Sequence, residues 1–237
     1  MSLDEKAWQA VRSRIALAAQ RAGRDPATVS VLAVSKGQPA AAVRAAYALG
    51  QRGFGENYVQ ESLAKAQVLG ALPGIEWHLI GPLQSNKVRL AAATFNWVQS
   101  IDRFKLVERL SALREVQAGP LNVCVQVNIS GEASKNGVVP QEALALARSI
   151  AALPRLSLRG FMGIAQATPD SARQRAQFHI LHELFDAARA SGLELDTLSM
   201  GMSADLEAAI AEGTTLLRLG TALFGARVAA ATQDAVA

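Results

Sequence analysis

The chain has 237 residues, half of them hydrophobic and 19% charged, a balance that suits a globular protein with a sizeable core rather than a disordered or fibrous one. A net charge of +4 without a basic cluster gives no case for nucleic acid, and no run is long enough to be a transmembrane helix. A lone cysteine, Cys124, excludes an internal disulfide and a cysteine metal site. With no signal-peptide run at the start, the expectation is a cytoplasmic protein without a metal.

Ala7, Trp8, Val11, Ile15 and Ala18 recur at helical spacing and predict an amphipathic helix over 4–22, ended by Gly23. The first strand follows at 29–37, V-S-V-L-A-V-S-K-G. Next come a helix over 39–49 stopped by Gly50, a strand over 51–56, a helix over 57–66, and a strand over 75–80 closed by Gly81 and Pro82. A helix over 87–93, a strand over 97–101 and a helix over 104–117 continue the pattern. The run 121–129, L-N-V-C-V-Q-V-N-I, is rich in valine and reads as an alternating strand with Cys124 as a small core residue. A helix over 140–153, a strand over 158–164, a helix over 171–191 and a strand over 197–200 follow. The chain closes with a helix over 204–212, a strand over 216–219, a segment at 221–225, and an alanine-rich tail expected to fray.

Strict alternation of strand and helix argues for a parallel sheet. Eight strands after one leading helix predict a (β/α)8 TIM barrel, a single domain over 1–237 with an extra N-terminal helix. An open doubly wound sheet is the structural alternative.

On a barrel, chemistry belongs at the C-terminal ends of the strands. Those ends hold Lys36, Glu56 with Asn57, His78 with Gly81, Ser100 with Asp102, Asn128, Met162 with Gly163, residues 200–203 and residues 218–221. The set has no carboxylate pair for glycoside hydrolysis and no histidine cluster for zinc. A lysine where a buried strand leaves its sheet either caps that strand in water or is an amine placed to attack a carbonyl. S-M-G-M-S at 199–203 runs into a helix, with Ser203 placed as its N-cap. With Gly220 and Thr221 next door it offers small-residue turns suited to a phosphate, or turns and nothing more. Arg218, inside L-L-R-L-G, is either a snorkelling surface group or a partner for an acceptor at the mouth. One ligand uses all three handles: pyridoxal 5′-phosphate, with Lys36 forming a Schiff base, Ser203, Gly220 and Thr221 at the phosphate, and Arg218 facing the ring nitrogen. A permanent cation at that nitrogen disfavours its protonation and limits carbanion build-up.

At these residues the chain resembles the pyridoxal phosphate homeostasis proteins, single-domain relatives of the alanine racemase N-terminal barrel. The resemblance runs through L-A-V-S-K at 32–36, F-G-E-N-Y-V-Q-E at 54–61, W-H-L-I-G-P-L-Q-S-N-K at 77–87, S-I-D-R at 100–103, N-I-S-G-E-A-S-K-N-G at 128–137, G-F-M-G-I at 160–164, L-S-M-G-M-S-A-D-L at 198–206 and L-R-L-G-T-A-L-F-G at 217–225. It implies pyridoxal 5′-phosphate bound through Lys36, with Ser203, Gly220, Thr221 and Arg218 in the roles above, and Asn57 and Met200 lining the pocket. It also implies a role in vitamin B6 homeostasis, holding and buffering the cofactor, with apo pyridoxal-phosphate enzymes as candidate recipients.

The alternative is an amino-acid racemase or lyase using Lys36 as its base. Racemases that resemble this barrel take a second base, a tyrosine, from a separate β-domain of a partner subunit. Here the chain is expected to end with the barrel, and Tyr47 and Tyr58 fall in or beside predicted helices. Racemisation needs proton delivery to both faces, so the carrier reading is preferred, with the protein a monomer. A remoter reading has Lys36 condensing with sugar phosphates. His78 is a proton shuttle or a hydrogen-bonded core residue. Lys87 and Lys135 are surface lysines or assistants at the mouth, and Asp102 and Arg103 make local turn contacts.

Overall fold

The computed structural model describes residues 5–225, so the reading of the tail lies outside the described residues. The elements in chain order are α1 (Glu5–Arg21), β1 (Ser30–Val34), α2 (Ala40–Ala48), β2 (Gly53–Glu56), α3 (Val59–Leu69), β3 (Glu76–Leu79), α4 (Val88–Thr94), β4 (Trp97–Ile101) and α5 (Phe104–Leu113). They continue with β5 (Leu121–Val127), α6 (Pro140–Ala151), β6 (Leu156–Gly163), α7 (Ser171–Ala190), β7 (Thr197–Ser199), α8 (Leu206–Ala211), β8 (Leu216–Leu219) and α9 (Thr221–Phe224).

The strands pair in sequence order, all parallel, and β8 returns to β1 with Ser30 opposite Leu216 and Ala33 opposite Leu219. The sheet is therefore a closed eight-stranded (β/α)8 barrel, and the open alternative is excluded. No helix of the described residues is long and apolar enough to cross a membrane.

Alternation along each strand separates two cores. On β2, Phe54 and Glu56 point out towards the helices, while Gly53 and Gly55 face the barrel axis. A Cβ at Gly55 would lie 3.1 Å from Leu32 and 3.2 Å from Ile80, so glycine leaves room for larger inner neighbours. The outer layer is the main apolar core, between strands and helices. Inside the barrel, Trp97, Cys124 and Met162 pack together.

The strand at β5 corrects its expected alternation: residues 123–127 are all buried, because helices cover one face and the barrel interior covers the other. Burial pushes the Cys124 thiol up to about 12, as suits a core residue. The helix expected over 104–117 stops at Leu113. There Arg114 turns extended and its guanidinium donates to the carbonyls of Ala92, Phe95, Ala118 and Gly119 at 2.7–3.0 Å.

The extra helix α1 packs on α8 and α9. Arg14 reaches Glu207 at 2.5 and 2.6 Å and donates to the Ser203 carbonyl at 2.8 Å. The N-terminal helix thereby braces the turn after β7.

Candidate functional site

A cavity of about 360 Å³ opens at the C-terminal end of the barrel, within the range of roughly 300–1,000 Å³ usual for small-molecule sites. Six of the seven residues singled out in the sequence line it: Lys36, Asn57, Ser203, Arg218, Gly220 and Thr221. The seventh, Met200, does not. It follows the inward-facing Ser199 and so points outward, fully buried in the core under the helices. Gly201, at φ +91°, redirects the chain, and Met202 takes the place at the cavity. A Cβ at Gly201 would lie 2.4 Å from that of Ala209, so the turn excludes larger residues on two counts.

Lys36 stands just past β1, half-buried, in a tight turn closed by Gln38 N–H donating to Ser35 O at 3.0 Å. An ionic clamp holds that turn from behind. Lys65 Nζ donates to Ser35 O at 2.6 Å, Glu56 Oε1 at 2.7 Å and Glu61 Oε1 at 2.8 Å. Ser35 Oγ donates to Glu56 Oε1 at 2.5 Å, and Gly37 N–H donates to Glu61 Oε1 at 2.6 Å. The backbone on both sides of Lys36 is thus fixed by α3. Glu56, expected at the mouth, faces the helix layer instead, because it shares the outward parity of Phe54. Burial pushes its carboxyl above the usual carboxylate range, against the pull of Lys65 and Ser35. The clamp is a functional feature that sequence reasoning missed. Its one local signal is the Glu61–Lys65 spacing on a helix.

Arg218 rises from the inner face of β8 and is buried, not a surface group. Its Nη1 donates to Ser199 O at 2.6 Å and Ser199 Oγ at 2.7 Å, and its Nη2 donates to Gly163 O at 2.8 Å. Burial pushes the guanidinium down to about 10, against the attraction of Asp205, so it remains cationic at neutral pH. All three acceptors are neutral, which leaves the charge uncompensated by direct contact.

Ser203 does not cap α8 as expected. The N-cap is Asp205, whose Oδ1 accepts from Met202 N–H at 2.5 Å, because the turn after Gly201 delays the helix to Leu206. Ser203 Oγ instead accepts from Ala222 N–H at 3.3 Å and ties the turn after β7 to the start of α9. With six and four residues, α8 and α9 carry little macrodipole. An anion here would be held by nearby N–H and O–H groups. Asn57 is set by Gly81: a Cβ there would lie 2.3 Å from Asn57 O.

Gln126 and Asn136 also line the cavity and were not foreseen; the loop after β5 folds back so that Gln126 Nε2 donates to Asn136 O at 3.1 Å. Lys135 pairs with Glu132 at 3.7 Å outside the lining, Lys87 lies in the short turn before α4, and Asp102 meets Arg103 at 3.7 Å. Tyr47 donates its hydroxyl to Pro73 O, and Tyr58 is 64% exposed; neither lines the cavity. His78 is not at the mouth. It sits inside the barrel, stacked on Trp97 with ring centroids 5.0 Å apart, and burial pushes its imidazole below the usual value. Among the described residues, Lys36 and Arg218 are the only ionisable side chains in the upper lining.

The closed barrel, with an amine and a guanidinium at its C-terminal mouth, is of the kind described as the alanine racemase N-terminal domain, a family whose model matches residues 7–228. Closer relatives narrow this. A pyridoxal phosphate homeostasis protein of Pseudomonas aeruginosa is 58% identical over 92% of this chain and 93% of its own. One from Escherichia coli K12 is 49% identical over 92% of this chain and 94% of its own. The structure of PipY from Synechococcus elongatus with PLP bound superposes with a TM-score of 0.77 at 40% identity, covering 88% of this chain and 98% of that one. The chain belongs to the pyridoxal phosphate homeostasis protein family.

Proposed function

We propose that this protein binds pyridoxal 5′-phosphate at the upper mouth of the barrel and serves vitamin B6 homeostasis by holding the cofactor reversibly on Lys36. One observation carries the reading: a single cavity joins a primary amine, a buried guanidinium bonded only to neutral acceptors, and two tied turns of small and hydroxyl residues. When bound, the cofactor supplies an aldehyde that a primary amine can attack. Lys36 is the amine, kept in place by the Glu56–Lys65–Glu61 clamp. Ser203, Gly220 and Thr221 hold the phosphate. A side chain at Gly220 would press to 3.3 Å from Val34 O, so glycine keeps this wall close to β1. Asn57 lines the same cavity. Arg218 holds a positive charge beside the ring nitrogen and disfavours its protonation.

The lining favours holding over turnover. Apart from Lys36 and Arg218, the described lining holds no ionisable side chain to serve a second face of a substrate. This supports a carrier over a racemase or lyase. In this reading the protein acts in the cytoplasm, as a monomer, with apo pyridoxal-phosphate enzymes as recipients. The test is borohydride reduction of the protein mixed with cofactor, followed by peptide mass mapping, alongside incubation with L- and D-alanine. One reduced adduct on Lys36 without racemisation is expected. An adduct confined to another lysine, or sustained turnover above free cofactor, would overturn the reading.

A further inference from the structure

Arg218 is one end of a hydrogen-bonded chain that crosses the interior of the barrel. Its Nη1 donates to Ser199 Oγ at 2.7 Å, and Ser199 Oγ donates to Gln99 Oε1 at 2.7 Å. Gln99 Nε2 lies 2.9 Å from His78 Nδ1, and His78 Nε2 lies 3.8 Å from Glu76 Oε2 near the opposite mouth. Every inner member is buried: Ser199 and Gln99 are 0% exposed, His78 3% and Arg218 4%. Polar groups so placed are costly unless each is satisfied.

Satisfaction fixes the direction of the chain. A guanidinium only donates, so Ser199 Oγ accepts from Arg218 and sends its own hydrogen to Gln99 Oε1. Gln99 then presents N–H to His78, which must accept at Nδ1 and carry its proton on Nε2, towards Glu76. In the reverse orientation Gln99 N–H would point at a Ser199 oxygen that already accepts from Arg218. The Ser199 hydrogen would then lose its acceptor.

We propose that Ser199, Gln99 and His78 are positioning residues that lock Arg218 in its orientation towards the ring nitrogen, with His78 held as the neutral Nε2–H tautomer. The proposal rests on the preceding reading in that Arg218 faces the cofactor ring. Around His78 the charged groups are Glu76 on its own strand, and Arg159 of β6 with its partner Asp196 just before β7, beyond Trp97. Gln99 and Trp97 come from β4, and β2 contributes Gly53. A proton added at Nδ1 would face Gln99 N–H, turn the amide over, and leave the Ser199 hydroxyl unsatisfied beside Arg218.

Two measurements test this. In the cofactor-free protein, ¹⁵N NMR of the imidazoles, with His78 assigned through His78→Gln, is expected to show the Nε2–H tautomer; the Nδ1–H tautomer would overturn the chain by itself. In the cofactor-loaded protein, Gln99→Leu is expected to leave the reduced adduct on Lys36. It should weaken cofactor binding by about tenfold, the loss of one buried hydrogen bond, and shift the visible band and its pH dependence. Ser199→Ala should act in the same direction and guards against a Gln99 variant that fails to fold. A wild-type protein that takes up no cofactor overturns the preceding reading together with the ring contact proposed here. An unchanged affinity, band and pH profile in both variants, beside a loaded wild type, overturns this proposal alone.

Discussion

The two mouths of the barrel carry cavities of similar size and opposite electrostatic character. At the N-terminal mouth the cavity is about 440 Å³ and its charges answer one another. Arg159 Nε donates to both Asp196 oxygens at 2.9 and 3.1 Å, Arg159 Nη1 donates to Asn122 at 2.9 Å, and the guanidinium lies 4.9 Å over the Trp97 ring. At the C-terminal mouth the cavity is smaller, about 360 Å³. There Arg218 meets only two carbonyls and a hydroxyl, and no carboxylate lines the described wall. A cation matched by a neighbouring acid has little charge left for a ligand, whereas one held by neutral dipoles keeps it available. Of these two cavities the lower is the larger, but charge pairing favours the upper one, and on barrels function gathers at the C-terminal mouth.

If that contrast is right, substitutions at the top should change binding and those at the bottom should change stability. The largest effect is expected from Lys36→Ala, which should abolish the borohydride-fixed adduct and leave the urea midpoint unchanged; a persisting adduct would show that another amine does the work. Gly201→Ala should cost about 3 kcal/mol in urea unfolding, because it combines a positive φ with a 2.4 Å contact. It should loosen cofactor binding as well, since the turn carries Met202 and Ser203. Arg159→Ala breaks the contrast from the other side. It should cost about 1–2 kcal/mol through lost ion-pair and ring contacts while cofactor affinity stays the same. Weakened binding in that variant would mean the lower mouth is not merely structural.

The smallest effects are in pH dependence. Burial depresses the folded His78 pKa below its ordinary 6.5, with Glu76 opposing. Below that value the unfolded chain takes up a proton that the folded one resists, so stability should decline as pH falls from about 6.5. His78→Gln should flatten that slope. At Asp196, burial would raise the carboxyl, but the bonds from Arg159 and Thr197 hold it below its ordinary 3.8. Its stabilisation is present above that value and is lost as pH falls through the lower folded one. Asp196→Asn should flatten this second, more acidic slope.

The sequence exposed much of the upper mouth, because strand ends announce themselves: short apolar runs, valine-rich only in the first, stop at Lys36, at the turn before Ser203 and at Gly220. What it hid depended on parity and on distant partners. Met200 and Met202 differ by two positions in the chain, yet the positive φ of Gly201 between them decides which one meets the cavity. Of the two roles open to His78 near the end of β3, the hydrogen-bonded core residue is the one observed: its ring stacks on Trp97 deeper in the barrel and bonds Gln99. The clamp behind Lys36 joins β1, β2 and α3 through Ser35, Glu56 and Lys65, a meeting no local pattern records. Closure is predicted by the count of eight strand–helix units, and the pairing of β8 with β1 settles it against the open sheet.

The most direct test of the account is diffraction from crystals of the protein grown with pyridoxal 5′-phosphate. Density continuous with Lys36 Nζ is expected, with the phosphate among Ser203, Gly220 and Thr221, the ring nitrogen against Arg218, and the cavity beside Arg159 without cofactor. Cofactor density at the Arg159 end, or joined to a different lysine, would contradict it.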